Sequence, residues 1–454
     1  MTPEEFRRYG HEIVDWIADY RARLSERPVM SPVQPGETRA LVPARPPEQG
    51  EPLDQVLKDL ERVVLPGITH WNHPSFFAYF PSNAGLASVL ADLVSSGLGA
   101  QAMSWQTSPA ATELEEAMMD WLRQAVDLPA SFTGVIQDTA STATFVALLC
   151  ARERATGFSQ ETKGFTAGLT IYASEEAHSS VAKAALLAGF GRDNLRLIPT
   201  DDEHAMRPDA LEKAIATDKA NGRTPCAVVA TIGTTATTAF DPIVKPDGLW
   251  LHVDAAMAGS AMILPECRPL WRGVEAADSI VFNPHKWLGV AFDCTAYYVK
   301  DPQTLVRVMS TNPSYLQTAA DEKVRNLRDW GLQLGRRFRA LKLWFLFREQ
   351  GLEKLRQRLR RDLENAQWLA AQVDRTQGWE RVAPVKLQTV CIRHKEADNL
   401  AIANRVNRSG RAYVTPSVLK GRQMIRVSIG AEATSRAEVA AVWSLLQSEA
   451  KSAT

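Results

Sequence analysis

The chain has 454 residues, with 52 basic and 52 acidic side chains that cancel to a formal net charge of zero. That length exceeds what one simple core serves, so two or three domains are expected. The balanced charge removes the electrostatic case for nucleic acid or an anionic membrane surface as partner. The five cysteines, Cys150, Cys226, Cys267, Cys294 and Cys391, lie far apart with no C-x-x-C pair. That argues against zinc and against a disulfide framework, and suits a reducing cytosol. The start, Thr2 to Arg8, is charged and lacks the apolar stretch of a secretory signal. There is no run of about eighteen apolar residues to cross a bilayer. The expectation is a cytoplasmic globular protein.

In chain order, Thr2-Pro3-Glu4-Glu5 reads as a helix start, with a threonine N-cap, proline in the first turn and acids at the positive end. Phe6, Ile13, Val14, Ile17 and Tyr20 then make one apolar stripe. Pro28 to Pro52 is too rich in proline for a helix or central strand and reads as an extended strap. The aromatic stretch Trp71 to Ser82 reads, on its residues alone, as core packing beneath that strap. Gln101-Ala-Met103-Ser-Trp105 follows, and Pro109 to Leu122 is an amphipathic helix.

Gly134 to Asp138 leads through Thr139-Ala140-Ser141-Thr142 into another helix. Small hydroxylic residues there are N-caps, and the same free N–H groups can cradle a phosphate. Thr170 to Ala185 is strand, loop and helix, with His178 at the crossover, where a lone histidine is ordinarily a cap or a core group. Pro225 to Gly233 is a buried strand running into Thr234-Thr235.

Two strand ends then carry chemistry. Leu249 to Val253 ends in Asp254, followed by Ala255-Ala256. Ser279 to Phe282 is stopped by Asn283-Pro284, because proline has no N–H for a ladder, and His285-Lys286-Trp287 follow. Open α/β sheets place ligand crevices at such ends. Singly, Lys286 reads as a surface amine and Asp254 as a strand-end cap. Together, an amine able to form a Schiff base and a carboxylate at neighbouring strand ends are two parts of a pyridoxal phosphate (PLP) site. At ~3 Å and an effective dielectric of about 20, such a carboxylate holds a protonated pyridine nitrogen by roughly 5 kcal/mol.

Beyond Lys286, Val306 to Lys323 is polar and aperiodic, a bare loop with Tyr315 near its centre. Trp330 to Arg339 reads as the start of a long helix with a basic face, its arginines an anion site or, the favoured reading, paired with carboxylates at a domain interface. The last hundred residues read as helix Leu355 to Val373, strands around 385–393 and 424–429, and helix 435–450. That order makes a small α+β domain.

His252-Val-Asp-Ala-Ala256 and Asn283-Pro-His-Lys-Trp287 resemble the group II (aromatic-L-amino-acid) PLP-dependent decarboxylases, and the resemblance extends over nearly the whole chain. It implies an α/β fold-type-I PLP enzyme: a large, mostly parallel sheet domain, an N-terminal helical strap and a small C-terminal α+β domain. The expected divisions are 1–85, 86–342 and 343–454. It also implies a homodimer with shared active sites, the first segment embracing the partner. By resemblance Lys286 carries PLP, Asp254 faces its ring nitrogen and His178 stacks on the ring. Ala140 and Ser141 hold the phosphate, and Thr235, Ala256, Asn283 and His285 complete the cofactor contacts. Trp71, Tyr79, Phe80, Pro81, Ser82, Met103 and Gly335 match the substrate pocket, and Tyr315 matches the proton donor of a catalytic loop. No metal is expected.

This chain departs from the family pattern at Asp138, where relatives often have glycine, and the carboxylate is expected to turn away or cap the helix. Between Asp241 and Gly248 a short helix of the relatives is missing, which could expose one sheet face. The expected reaction is decarboxylation of an aromatic L-amino acid (tryptophan, tyrosine, dihydroxyphenylalanine or phenylalanine) to an arylalkylamine and CO2. Gly335 leans toward tryptophan, since plant relatives with glycine there tend to be indolic. Relatives with phenylalanine at the Tyr315 position resemble aldehyde synthases, the first alternative. An aminotransferase would clamp the substrate carboxylate with an arginine, for which Arg426 is the candidate. A catalytically dead binding protein is disfavoured by the presence of Lys286, Asp254, His178 and Tyr315.

Overall fold

A computed structural model describes residues 1–164, 168–311 and 323–451. Tyr315 lies outside the described residues. The chain divides into two compact units. One comprises Met1–Pro81, Glu364–Val382 and Val390–Thr454, and the other Ser82–Leu363 and Ala383–Thr389.

The first unit opens with the helix Pro3–Ala22. Its start is a complete capping box: Thr2 Oγ1 accepts the Glu5 N–H at 3.2 Å, and Glu5 Oε2 accepts the Thr2 N–H at 2.7 Å. The proline-rich segment is largely irregular, with one short helix, Glu37–Leu41. A five-stranded sheet runs in the order Phe76–Phe77, Tyr413–Leu419, Arg422–Ser428, Thr389–His394 and Trp379–Arg381. The helices Asn399–Arg408 and Arg436–Lys451 belong to the same unit, which is the expected α+β composition.

The second unit is built on a seven-stranded sheet in the order Thr133–Gln137, Thr295–Val299, Ser279–Phe282, Trp250–Asp254, Thr224–Thr231, Leu169–Ser174 and Leu195–Ile198. Thr295–Val299 runs antiparallel to both neighbours, and the remaining pairs are parallel. Trp250–Asp254 and Ser279–Phe282 are buried along their whole length, as strands covered on both faces must be. Ala143, Val146, Ala147 and Cys150 of the helix Ala140–Ala155 pack with Ile171, Val229 and Val281 of the sheet. All five cysteines are buried free thiols. Burial pushes Cys226 and Cys294 up to about 12 and Cys267 up to about 11, and Cys150 higher still.

The segment that lacks the expected helix does not expose the sheet. Residues 241–249 form an open loop, and Trp250 and Leu251 beneath it are fully buried. Two devices hold the loop. Asp241 accepts the Thr231 N–H at 2.8 Å and the Met206 N–H at 2.7 Å, while burial raises its carboxyl to about 6. Asp278 pairs with Lys245 and Arg154, each at 2.8 Å.

The expected helix at Trp330–Arg339 is not formed there; regular helix begins at Ala340 and runs to Arg375 with a break at Gly351. Side chains occupy the backbone groups that a helix would pair. Gln137 donates to the Trp330 carbonyl at 2.7 Å and Gln101 accepts the Arg336 N–H at 2.6 Å. The arginines do pair with carboxylates, and within this unit: Arg336 with Glu115 at 2.9 Å, Arg337 with Asp92 at 2.8 Å and Arg339 with Asp293 at 2.9 Å. No helix among the described residues is long and apolar enough to cross a membrane.

Candidate active site

Asp254 ends its strand as a buried carboxylate whose Oδ1 accepts the Ala256 N–H at 3.0 Å. The neighbouring strand is tied to it at the same level. The Ala255 N–H donates to the Val281 carbonyl, and the Asn283 N–H donates to the Ala256 carbonyl, each at 2.9 Å. Asn283 is oriented in turn by Thr295, whose hydroxyl lies 2.8 Å from Asn283 Oδ1 and 3.0 Å from the Asp138 carbonyl.

His178 is the N-cap of the helix Ser179–Leu187, so the ordinary reading of that histidine holds. Its Nδ1 accepts the Ser180 N–H at 3.1 Å and sits 2.7 Å from the Ser180 hydroxyl. An Nδ1 occupied as acceptor puts the proton of the neutral ring on Nε2. Burial lowers the imidazole pKa, the Lys286 ammonium lowers it further, and Asp254 opposes. The charges of Asp254 and Lys286, both in the same unit, are thus felt at the His178 ring.

Lys286 lies in a turn, Pro284–Leu288, whose helical path it breaks with φ −92° and ψ −107°. The preceding His285 accepts the Cys294 N–H on Nδ1 at 3.0 Å, which again leaves the proton on Nε2. Burial and the Lys286 charge push its pKa down to about 4. Every carbonyl from His285 to Leu288 faces a side-chain donor from elsewhere in this unit. Ser82 Oγ meets the His285 carbonyl and Asn83 Nδ2 the Lys286 carbonyl, each at 3.3 Å. Arg358 Nη2 reaches the Trp287 carbonyl at 2.9 Å and the Leu288 carbonyl at 2.6 Å. The Trp287 indole N–H donates to buried Asp362 at 2.9 Å.

Thr139, not Ala140 or Ser141, caps the helix Ala140–Ala155, its Oγ1 accepting the Thr142 N–H at 3.3 Å. The Ala140 and Ser141 N–H groups have no intrahelical partner and stand at the positive end of a sixteen-residue helix. Asp138 does not cap the helix: its Oδ1 accepts the Thr139 N–H at 2.6 Å and its Oδ2 the Gln333 amide at 2.9 Å. Thr235 is half-buried in the turn that follows the strand Thr224–Thr231. Met103 offers its carbonyl to the Arg328 N–H at 2.7 Å, and Gly335 lies beside Gln101.

The aromatic group belongs to the first unit. Trp71 stacks on Tyr79 with centroids 5.4 Å apart, and Phe80 lies under Arg426, 5.1 Å from the guanidinium carbon. Pro81 is the last residue of that unit's first segment, and Ser82 is the first residue of the second unit. A cavity of about 1120 Å3 between the helix Pro109–Ala125 and residues 323–325 contains none of the predicted site residues. Asn83, Arg358 and Asp362 were not foreseen from the sequence. They lie far along the chain from the turn they hold, and an arginine or aspartate in a charged amphipathic helix carries no signal of its target.

The donor set fits PLP. A buried carboxylate and a neutral imidazole stand with a lysine near the ends of parallel strands, and a helix mouth with free N–H groups lies in the same unit. The comparisons agree. The Pyridoxal-dependent decarboxylase conserved domain matches residues 35–395. The chain is 41% identical to the aromatic-L-amino-acid decarboxylase of Bos taurus, covering 98% of this chain and 96% of that one. It is 40% identical to the phenylacetaldehyde synthase of Arabidopsis thaliana, covering 99% and 96%. The crystal structure of Oryza sativa TDC with PLP and tryptamine matches with a TM-score of 0.96 at 36% identity, covering 100% and 99%. The chain belongs to the pyridoxal-dependent decarboxylases, and its cofactor is PLP.

Proposed function

We propose that this enzyme decarboxylates an aromatic L-amino acid, releasing CO2 and the arylalkylamine. The observation that carries the reading is that Asp254 ends one strand and Lys286 follows the end of its parallel neighbour, the two ends tied by the Ala255 and Asn283 N–H bonds, in a chain 41% and 42% identical to two proteins of that name. In this reading Lys286 Nζ holds PLP, and Asp254 keeps the proton on its ring nitrogen. The Ala140 and Ser141 N–H groups and His285 Nε2–H bind the phosphate. His178 covers one ring face and presents its Nε2–H to the substrate side. Asn283, Ala256 and Thr235 line the ring edge. Bound PLP supplies an electron sink for the pair released when the carbon–carboxylate bond breaks. Tyr315 then delivers a proton to the carbon that lost CO2, which completes the amine. Trp71, Tyr79, Phe80, Pro81, Ser82, Met103 and Gly335 are the residues we assign to the substrate side chain, an assignment that favours an aromatic ring over a second carboxylate.

The second reading is an aromatic aldehyde synthase, in which dioxygen takes two electrons and becomes hydrogen peroxide, and water hydrolyses the resulting carbon–nitrogen double bond to aldehyde and ammonia. Similarity to a phenylacetaldehyde synthase supports it, and tyrosine at position 315 supports the amine route instead. Arg426 gives little support to a transaminase, since its Nη2 donates to the Tyr79 carbonyl at 3.3 Å and its plane covers Phe80.

We further infer a homodimer in the cytosol. Leu86, Leu90, Leu93, Val94 and Leu98 form an exposed apolar stripe on one helix, the kind of face a second copy covers. Free buried thiols suit a reducing compartment.

Mass spectrometry of products, with purified enzyme, added PLP and each of four aromatic amino acids in air, tests the reaction. Amine without peroxide is expected. Aldehyde with stoichiometric peroxide would move the enzyme to the second reading, and loss of all turnover with aromatic substrates would remove both. Lys286→Ala should abolish turnover and the visible absorbance of bound PLP.

A further inference from the structure

The turn that carries Lys286 is held from two sides. On one side, Ser82 and Asn83 face the His285 and Lys286 carbonyls, and the Gly85 N–H donates to the Gly289 carbonyl at 3.0 Å. On the other, one guanidinium spans two successive carbonyls, those of Trp287 and Leu288. Arg358 and Asp362 are four residues apart on one helix and so share a face. From it Arg358 takes the backbone, and Asp362 the indole, of the residue that follows the lysine.

Gly289 completes the contact. A methyl group built on it would stand 2.6 Å from Arg358 Nη1 and 3.0 Å from Nη2. Its φ of 94° is also one that only glycine adopts readily. The guanidinium therefore lies against bare backbone, buried, with no room for a side chain between them.

We propose that Arg358 is a positioning residue for Lys286: through the Trp287 and Leu288 carbonyls it fixes the direction in which the lysine leaves the turn. The inference rests on the reading that Lys286 carries PLP. A buried arginine holding two carbonyls is worth more as geometry than as stability. Charge-assisted hydrogen bonds are directional, while burying the cation costs much of what they return. Both bonds come from the one nitrogen Nη2, so a lysine at position 358 could still donate to these carbonyls, but from a freely rotating ammonium without the planar guanidinium that fixes their direction. The effect should appear at the amine, as a changed angle between Nζ and the cofactor.

Two properties of the purified holoenzyme test this: the pH midpoint of the visible absorbance of bound PLP, and the rate of PLP release on dilution. Arg358→Leu should shift the midpoint by about one pH unit or more and speed release at least tenfold. Arg358→Lys should restore part of both. Packing alone would lower the melting temperature and leave the pH midpoint in place, so a wild-type midpoint and release rate in Arg358→Leu would overturn the proposal. If Arg358→Leu does not fold, Gly289→Ala, which pushes the guanidinium off the turn, should give the same signature, and wild-type values there would overturn it equally. Lys286→Ala separates the two layers. If that variant kept the absorbance and its pH dependence, the assignment of Lys286 itself would fail, whatever Arg358 does.

Discussion

A methyl group on Gly335 would lie 3.4 Å from the Gln101 amide nitrogen, an ordinary contact distance. A serine there meets no backbone, so Gly335→Ser should fold with a stability change under about 1 kcal/mol. Its hydroxyl then enters space we assign to the substrate ring. The ratio of kcat/KM for tryptophan over tyrosine should fall severalfold, in line with the ~1–3 kcal/mol that pocket shape gives. An unchanged ratio in parallel assays would remove Gly335 from the specificity set.

Gly331, four residues earlier, behaves oppositely. Its added methyl would stand 2.8 Å from both polar atoms of the Gln137 amide, which is buried and donates to the Trp330 carbonyl. Gly331→Ala should cost about 1–2 kcal/mol by breaking that bond. Denaturant unfolding checks it, and a midpoint equal to wild type would mean the amide relocates freely.

Acid should destabilise the fold in a way that Asp241 moderates. His252 and His285 are held near 4 by burial, below their ordinary 6.5, so the folded chain binds fewer protons than the unfolded chain between those values. Stability is therefore lost as pH falls through that window, by up to roughly 3 kcal/mol per group. Asp241 is raised from 3.8 to about 6, so its folded form takes up a proton early and returns up to ~3 kcal/mol over nearly the same window. Asp241→Asn removes that return. Urea unfolding at pH 7 and pH 4 should show a larger acid loss in the variant, by about 2–3 kcal/mol. Equal losses would show that Asp241 titrates normally.

Tyr315→Phe should shift product from amine toward aldehyde, with peroxide appearing in proportion. Unchanged amine output, measured by mass spectrometry alongside wild type, would remove Tyr315 as the proton donor.

What could be read from the sequence was what is local. The Thr2 capping box, Asp254 at a strand end and Lys286 after Asn283-Pro284 each announce themselves within a few residues. The runs ending at Val253 and Phe282 read as buried strands by themselves, whereas the large, mostly parallel sheet was what the resemblance implied, and its seven strands and their order appear only in the structure. Arg358 could not be read, because it acts on carbonyls 70 and 71 residues away and looks like its helical neighbours. Residues 330–339 were misread for a related reason. Their apolar and basic spacing suits a helix, yet Gln101 and Gln137, some two hundred residues upstream, take the backbone groups the helix would have used. The missing cover at 241–249 was legible as a deletion, while its replacement by Asp241 and Asp278 depended on partners that only folding brings close.

The five buried cysteines give this enzyme a built-in clock. With thiols out of solvent and those of Cys226, Cys267 and Cys294 at about 11 to 12, the native chain offers almost no thiolate to an alkylating reagent at neutral pH. Iodoacetamide can act only on molecules that have opened, so the labelling rate of each cysteine measures how often its part of the fold comes apart. Cys294, whose N–H holds His285, reports on the lysine turn, and Cys391 on the five-stranded sheet. Peptide-resolved labelling would thus time the opening of the two units separately, without an added probe.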